Sequence, residues 1–492
     1  MTTSSPSVIL VELNEASRYF LDKYVGDGSL PYFARLRDRG VMLTTTIPDW
    51  DADEARAWRT ISPWIVWPSI YTGLSRAAHG IVGFGQDPNP THRRCVWDVL
   101  DEHGISTGVG HSLMSYPPRC PRAGVFYLPD ILSEDAACTP ASAAHAQRFC
   151  VFSARNYSES FVRDALRASA LLAASGASGV RAQTMARVLA QIPREQMSGA
   201  TVEPERALLL SYIAEDVVST LLRRQQPRFT SLHLNHVAYM QHRYWRAAEP
   251  WRFTNALSST DALFFATSAE RRRYEERFSR WVLRSLQYSE RLLEHLEAIA
   301  SDDTIFVVAS GLGQRPMDPV HEIHNPVVRL IAVEQLLRAL GVDDCRAQHQ
   351  MNPDLTLTFT NSQRAAAAAV VFEGVVVRDE ALFFVERRGR QLFLELLMCK
   401  KRRGENPTIH HRLRSDISFP LNRFVEEHRI PDQSTAHHAP EGWLLAYSRA
   451  LALRRVVDTL PITEIAPTLL GLFGLAPAPW MHLREAGFQI DS

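Results

Sequence analysis

Lysine is nearly missing from this sequence. Lys23, Lys400 and Lys401 are the only lysines among 54 basic residues, so arginine carries almost all of the positive charge. A net charge of either sign is missing as well, because 54 acidic residues balance the basic ones. Nucleic-acid binders normally carry a basic excess or a basic face, and the balance gives no electrostatic case for one. The six cysteines (Cys95, Cys120, Cys138, Cys150, Cys345 and Cys399) contain no CxxC pair. That argues against a zinc ribbon or a disulfide framework and for reduced, mostly buried thiols. The opening MTTSSPS has neither the basic region nor the apolar stretch of a secretory leader. The least charged late stretch, Ile465–Leu483, is broken by three prolines and two glycines and makes a poor membrane span. With 24 glycines and 28 prolines, neither a collagen-like nor a broadly disordered chain fits. The expectation is a cytoplasmic globular protein with no nucleic-acid partner and no membrane span; the oligomeric state stays open.

What is present is 492 residues, 46% of them hydrophobic, enough for two to three domains of roughly 150 residues or one large domain with insertions. Val8–Leu13 (VILVEL) is an apolar run broken only by Glu12, which suits a strand buried on both faces of a parallel sheet. Leu30–Gly40 reads as a helix ended by glycine. Ser106–Gly110, Thr230–Leu234 and Thr304–Ala309 are further strands, each with helical periodicity nearby, and the rhythm predicts an α/β sheet covered on both faces. Ser158–Arg224 is almost wholly helical in pattern. Thr356–Lys401 reads as successive β-strands with turns at Glu-Gly, Arg-Asp-Glu and Arg-Gly-Arg. The division expected is an α/β core over 1–150, a helical cap insertion over 151–225, core again over 226–350, a β-rich insertion over 351–432 and a C-terminal core segment over 433–492.

Three strings then carry a resemblance. WPSIYTGLSRAAHGIVGF (Trp67–Phe84), HHAPEGWLLAYS (His437–Ser448) and ITEIAPTLLGLFGLAPAP (Ile462–Pro479) occur in that order, framed by Val8–Asn14 and Thr304–Gly313 as strands. Together they resemble the alkaline phosphatase superfamily, in particular its type I phosphodiesterase/nucleotide pyrophosphatase branch. The resemblance implies an alkaline-phosphatase-like, mostly parallel sheet flanked by helices. It also implies two metal ions, usually zinc, that activate a Thr or Ser nucleophile and stabilise a phosphoryl group.

Residue by residue, the motifs depart from that pattern. The first-strand Asp corresponds to Asn14, flanked by Glu12 and Glu15. The Asp-His of the Ser-Asp-His-Gly motif corresponds to Gly311-Leu312, whose side chains cannot ligate, and another Asp corresponds to Ala238. His242 and His438 match retained metal positions; His236, Asn235 and the His321/His324 pair could supply a third ligand. Counting back from Pro68 puts Val66 at the nucleophile position, with Ser62, Ser69 and Thr72 as nearby hydroxyls. At most one divalent metal, zinc or similar, is therefore expected, with His242, His438 and His236 as ligands. Glu12, Asn14, Glu15, Ser69, Thr72, Ser310 and Arg315 are the expected catalytic set, Arg315 as a clamp for a phosphate. The competing reading makes His242 and His438 buried histidines held by hydrogen bonds, and Glu12 or Glu15 a partner for an arginine or a helix N-terminus.

The expected function is a soluble enzyme that cleaves or transfers a phosphoester or nucleotide-linked group. Its substrate would be a small phosphorylated or nucleotide-linked molecule, and the resemblance implies a biosynthetic intermediate. Two alternatives stay open: a catalytically dead scaffold that keeps the fold, and a repurposed enzyme using one His-bound metal or metal-free His/Glu acid–base chemistry.

Overall fold

The computed structural model describes residues 6–48, 50, 61–81, 83, 94–119, 125–133, 135–155, 165–198, 204–256, 265, 267–316, 327–349, 354–397, 406–428 and 434–491. The chain divides into two units, one made of residues 1–83, 88–319 and 434–492, the other of residues 84–87 and 320–433. The β-rich segment expected over 351–432 lies within the second unit.

In the first unit we number the strands β1 (Val8–Leu13), β2 (Val41–Thr46), β3 (Thr107–Gly110), β4 (Phe126–Leu128), β5 (Phe229–Leu234), β6 (Ile305–Ser310), β7 (Gly313–Pro316), β8 (Ala436–Ala439), β9 (Gly442–Ser448) and β10 (Thr459–Pro461). Eight of them form one sheet in the order β10-β2-β9-β6-β1-β5-β3-β4. All pairings are parallel except those of β9, which runs antiparallel to both β6 and β2. The mostly parallel, helix-flanked sheet expected from the sequence is present.

Alternation along β1 explains how the sheet is covered. Ile9, Val11 and Leu13 join an apolar cluster with the helices Arg18–Gly26, Pro204–Gln225 and Trp281–Ile299. Val8 and Leu10 point the other way, into a cluster with Trp67, Trp97 and Leu469. Each such side chain contributes roughly 1.5–3 kcal/mol when fully buried, so a strand buried on both faces needs the unbroken apolar run seen here. Glu12 breaks that run on the second face, and it too is fully buried.

Strand order reverses around β1, with β6 on one side and β5 on the other. In open α/β sheets such a switch point leaves a crevice at the carboxyl ends of the strands. Asn14 and Glu15 lie there after β1, Asn235 and His236 after β5, and Ser310 ends β6. Beyond β6 the chain makes β7, which pairs antiparallel with β8 in a two-stranded ribbon before β9 re-enters the sheet. Two glycines let this ribbon lie flush. A Cβ on Gly442 would stand 2.1 Å from the Ser310 carbonyl oxygen, and one on Gly313 would stand 2.5 Å from that of Glu441.

The second unit has two four-stranded antiparallel sheets, one ordered Phe383–Arg388, Gln391–Leu396, Leu355–Thr358, Arg346–His349 and the other Glu380–Ala381, Val375–Val377, Thr408–His411, Arg414–Pro420. One expectation is corrected there. Thr356–Lys401 is not strands throughout, because Ser362–Glu373 is a helix whose first turn is capped by the Asn361 side chain accepting from the Arg364 N–H at 2.9 Å. The run Val370-Val371-Phe372 that reads as a strand is that helix's last turn, with Phe372 in the unit's core. The expected turn at Arg378-Asp379 is present, both residues having left-handed backbones (φ 52° and 65°) as a tight hairpin requires.

Among the described residues, no helix is long and apolar enough to cross a membrane. Cys95, Cys138, Cys150 and Cys345 are free thiols, two of them buried, and burial pushes Cys150 up to about 12.

Candidate functional site: a carboxylate between two imidazoles

Three side chains from three segments meet in the crevice. Glu15 follows β1, His242 lies on the helix α1 (His236–Ala248) after β5, and His438 sits on β8. Their ligand-type atoms all lie within 4.8 Å of one another, and no other group of this kind occurs among the described residues. His242 Nε2 is 2.7 Å and His438 Nε2 3.3 Å from the same Glu15 oxygen, Oε2, and the imidazole centroids are 5.3 Å apart. The Glu15 side chain is 4% exposed, against 28% and 24% for the two histidines, so the cluster is buried on its carboxylate side and reachable on its imidazole side.

The ring orientations follow from what each Nδ1 faces. His242 Nδ1 is 2.8 Å from the Ala436 carbonyl and His438 Nδ1 2.8 Å from that of Ile61. A carbonyl only accepts, so both Nδ1 atoms carry hydrogen and both Nε2 atoms face the carboxylate. Burial works to raise the Glu15 pKa, but the imidazoles of His438 and His242 outweigh it and hold the carboxyl well below its ordinary range. Burial works to lower His438, and Glu15 reverses that and carries it above the ordinary histidine value.

Amide groups pin the carboxylate. Asn14 Nδ2 donates to Glu15 Oε1 at 3.0 Å and to Asn235 Oδ1 at 2.7 Å, while the Trp67 indole N–H donates to Asn14 Oδ1 at 2.8 Å. Gln314 Nε2, opposite His438 in the ribbon, donates to Glu15 Oε2 at 2.6 Å and to the Ala238 carbonyl at 3.1 Å. Gln241 receives the Ser17 N–H and donates to the Glu15 carbonyl. Glu15 itself has a left-handed backbone, φ 54°, which turns the chain sharply off β1 and aims its side chain at the ribbon.

The structure therefore brings together Asn14, Glu15, His242 and His438 from the expected set, and adds Gln314. The other expected residues lie elsewhere, each for a visible reason. His236 is not a third ligand here: its two nitrogens face Ser211 Oγ at 3.0 Å and Ser289 Oγ at 2.9 Å, and burial pushes its pKa down to about 3. The group that meets the two imidazoles is Glu15, one position beyond the residue matching the motif's Asp. Glu12 belongs to a separate buried network with Tyr71, Ser112 and His233. Ser310 donates to the Leu312 carbonyl at 2.6 Å and so closes the turn after β6. The exposed Arg315 pairs across the ribbon with the half-buried His437, its Nε 2.8 Å from the His437 ring. His321 and His324 lie outside the described residues.

The nucleophile segment is also corrected. Its helix runs from Pro63 to Thr72 with Pro68 inside it, so Pro63, not Pro68, opens the helix. Ser69 Oγ donates to the Ile65 carbonyl at 3.2 Å beside His79, and Thr72 Oγ1 to the Pro68 carbonyl at 2.6 Å. Both hydroxyls serve the helix interior. Ser62, its N-cap, makes no capping bond with its side chain and directly follows Ile61, whose carbonyl holds His438. The same helix crowds Gly311: a Cβ there would stand 2.5 Å from Ile70 Cδ1 and 2.8 Å from Val66 Cγ1. Leu312 is fully buried in the adjoining apolar cluster. Apolar packing thus fills the place where the motif would carry Asp-His.

No protein-family model matches the chain, and no curated protein matches it. Solved structures do. Phosphonoacetate hydrolase from Sinorhizobium meliloti 1021 in complex with phosphonoacetate is similar over 96% of each chain at 15% identity, with a TM-score of 0.42. Human ectonucleotide pyrophosphatase/phosphodiesterase 5 is similar over 96% of each chain at 11% identity, with a TM-score of 0.38. The alkaline phosphatase PafA is similar over 98% of this chain and 99% of its own at 12% identity, with a TM-score of 0.43. All three neighbours are members of the alkaline phosphatase superfamily, the one whose motifs this sequence resembles.

Proposed function

We propose that this chain is an enzyme that cleaves or transfers a phosphoester or nucleotide-linked group on a small molecule, around one divalent cation held by Glu15, His242 and His438. The observation that carries the reading is the convergence of both imidazole Nε2 atoms on one carboxylate oxygen, at 2.7 and 3.3 Å. Ligands bound to zinc at about 2.0–2.2 Å stand roughly 3–3.5 Å apart around a tetrahedral centre, so the donor set fits such a cation in kind, the 3.3 Å pair is in range, and the 2.7 Å pair has to open by a few tenths of an ångström on binding. Backbone carbonyls behind each Nδ1–H are the outer partners that orient metal-bound histidines. When bound, the cation supplies Lewis-acid polarisation of a phosphoryl oxygen and a bound water of lowered pKa.

The chain's own groups do the rest. Glu15 brings the negative charge that a divalent ion needs, and Asn14 and Gln314 keep its carboxylate from rotating away. Ser62 is the hydroxyl best placed as nucleophile, at the N-terminus of a ten-residue helix whose dipole favours an anionic group. Gly311 and Leu312, packed among Val66 and Ile70, argue against a second cation. A small biosynthetic intermediate as substrate and a cytoplasmic location complete the proposal.

The test is metal content joined to a screen of phosphoesters and nucleotide sugars. One equivalent of zinc or a similar ion, lost in His242→Ala and in His438→Ala without unfolding, is the expected result. Two equivalents would overturn the single-cation reading. No metal with turnover retained would leave His/Glu acid–base chemistry, and no metal without turnover would leave a scaffold.

A further inference from the structure

The amide of Gln314 is only half used. Its Nε2 spends both hydrogens, on Glu15 Oε2 at 2.6 Å and on the Ala238 carbonyl at 3.1 Å. Both partners are pure acceptors, one of them a carboxylate, so the amide cannot be turned round and Oε1 is fixed as the atom left over. That Oε1 is buried and has no hydrogen-bond partner among the described residues, and Gln314 is only 3% exposed. A buried acceptor left unpaired is costly, and proteins keep few of them. This one sits on the same carbon as the nitrogen that touches the cluster's shared oxygen, directly across the ribbon from His438.

We infer that Gln314 is a specificity-determining contact of this site, whose Oε1 accepts a hydrogen bond from an O–H group held against the Glu15–His242–His438 cluster. The inference deepens the proposed function by adding a requirement on the ligand. A phosphate oxygen with no hydrogen offers Oε1 only lone-pair repulsion, whereas a protonated phosphate, a hydroxyl beside the phosphoester, or a water held at the cluster satisfies it. The ligand class selected is thus an oxyanion that carries its own O–H donor. The residue at this position in the resembled motif follows Ser-Asp-His-Gly and belongs to no ligand set, so nothing in the motif reading assigns it.

Inorganic phosphate and sulfate discriminate the sources, because near neutral pH they have the same tetrahedral shape and phosphate alone retains an O–H. Calorimetric titration of each into the purified protein, beside Gln314→Met, reads the contact. Metal content measured on the same sample reports the single-cation reading separately. If the ligand supplies the hydrogen, the wild-type protein prefers phosphate by about tenfold or more, and Gln314→Met brings the ratio to about one. A ratio near one in both proteins, with a wild-type crystal structure showing an ordered water within hydrogen-bond distance of both Oε1 and the cluster, assigns the donor to a resident water and overturns the specificity role. A ratio near one with Oε1 facing only protein groups in that crystal structure overturns it. Should Gln314→Met fail to fold, the wild-type crystal structure grown with phosphate decides: an oxygen of phosphate about 2.6–3.0 Å from Oε1 upholds the contact, and a water or a protein group there overturns it.

Discussion

Two glutamates three positions apart on one segment, Glu12 and Glu15, both touch histidine, and their surroundings give them opposite characters. Glu12 lies inside β1, directly opposite His233 on β5, and takes hydrogen bonds from His233 Nδ1 at 2.9 Å, from Ser112 Oγ at 2.9 Å and from the Tyr71 hydroxyl. Its His233 partner is 4% exposed and packs edge-on against the Trp67 ring. Burial and the neighbouring Glu12 together push the Tyr71 phenol far above its ordinary range. Glu15 has left the strand and faces two imidazoles that are each about a quarter exposed. A sealed carboxylate matched donor for donor works as a structural brace, whereas one shared by two reachable imidazoles is chemically available. The pairing of Glu with His does not make a site; what opens onto the pair does.

The comparison breaks most visibly through cation binding. Glu15→Gln should lose bound metal by more than the about 10–100-fold typical of outer partners, while Glu12→Gln keeps its metal. Equal metal content in both variants would erase the distinction. Next in size is stability: Glu12→Gln replaces one of two accepting oxygens with an N–H₂ group, leaving a buried donor facing a donor, and should cost about 1–3 kcal/mol in urea unfolding. A midpoint within error of wild type would show the brace to be slack.

A third carboxylate, half-buried, sharpens the contrast because its charged neighbours are Glu395 and Arg388 and not an imidazole. Burial, with Glu395 beside it, pushes Asp354 of the β-rich unit up to about 7. Its folded pKa lies above the unfolded one, so its contribution is fully present below about pH 4 and is lost as pH rises towards 7. Stability of the wild-type protein should therefore fall across that window more steeply than that of Asp354→Asn; parallel urea-midpoint curves would contradict the assignment. The smallest effect belongs to Arg315→Ala, whose exposed side chain points away from the cluster: less than about 0.5 kcal/mol and unaltered metal content. A loss of metal there would return Arg315 to the site.

How much of this was legible follows the range of each signal. β1 could be read to the residue because an apolar run between turn-formers is a local pattern. His242 and His438 could be singled out because each stands in its own motif. The placing of Glu15 between those two imidazoles could not, since its direction is set by a left-handed turn that no spacing announces. His236 misleads for the converse reason: Ser211 and Ser289, which occupy its ring, lie 25 and 53 positions away in sequence. Pro68 resembles the opening proline of a helix, yet Pro63 opens it, and only the packed helix distinguishes the two. The helix Ser362–Glu373 hides behind its last turn, where β-branched and aromatic residues face a core that either element could fill.

The glycine at 442 has a consequence for the geometry of the cluster as a whole. Without a Cβ it lets the β7–β8 ribbon register directly against the end of β6, so His438 and Gln314 are indexed to the sheet by backbone contact alone. His438 is at the same time moored to Ile61 on another segment. A methyl group at 442 would act as a wedge, prying the ribbon outward while that mooring holds the ring back. The two anchors would pull apart, and the cluster would lose its alignment without any of its own residues being touched.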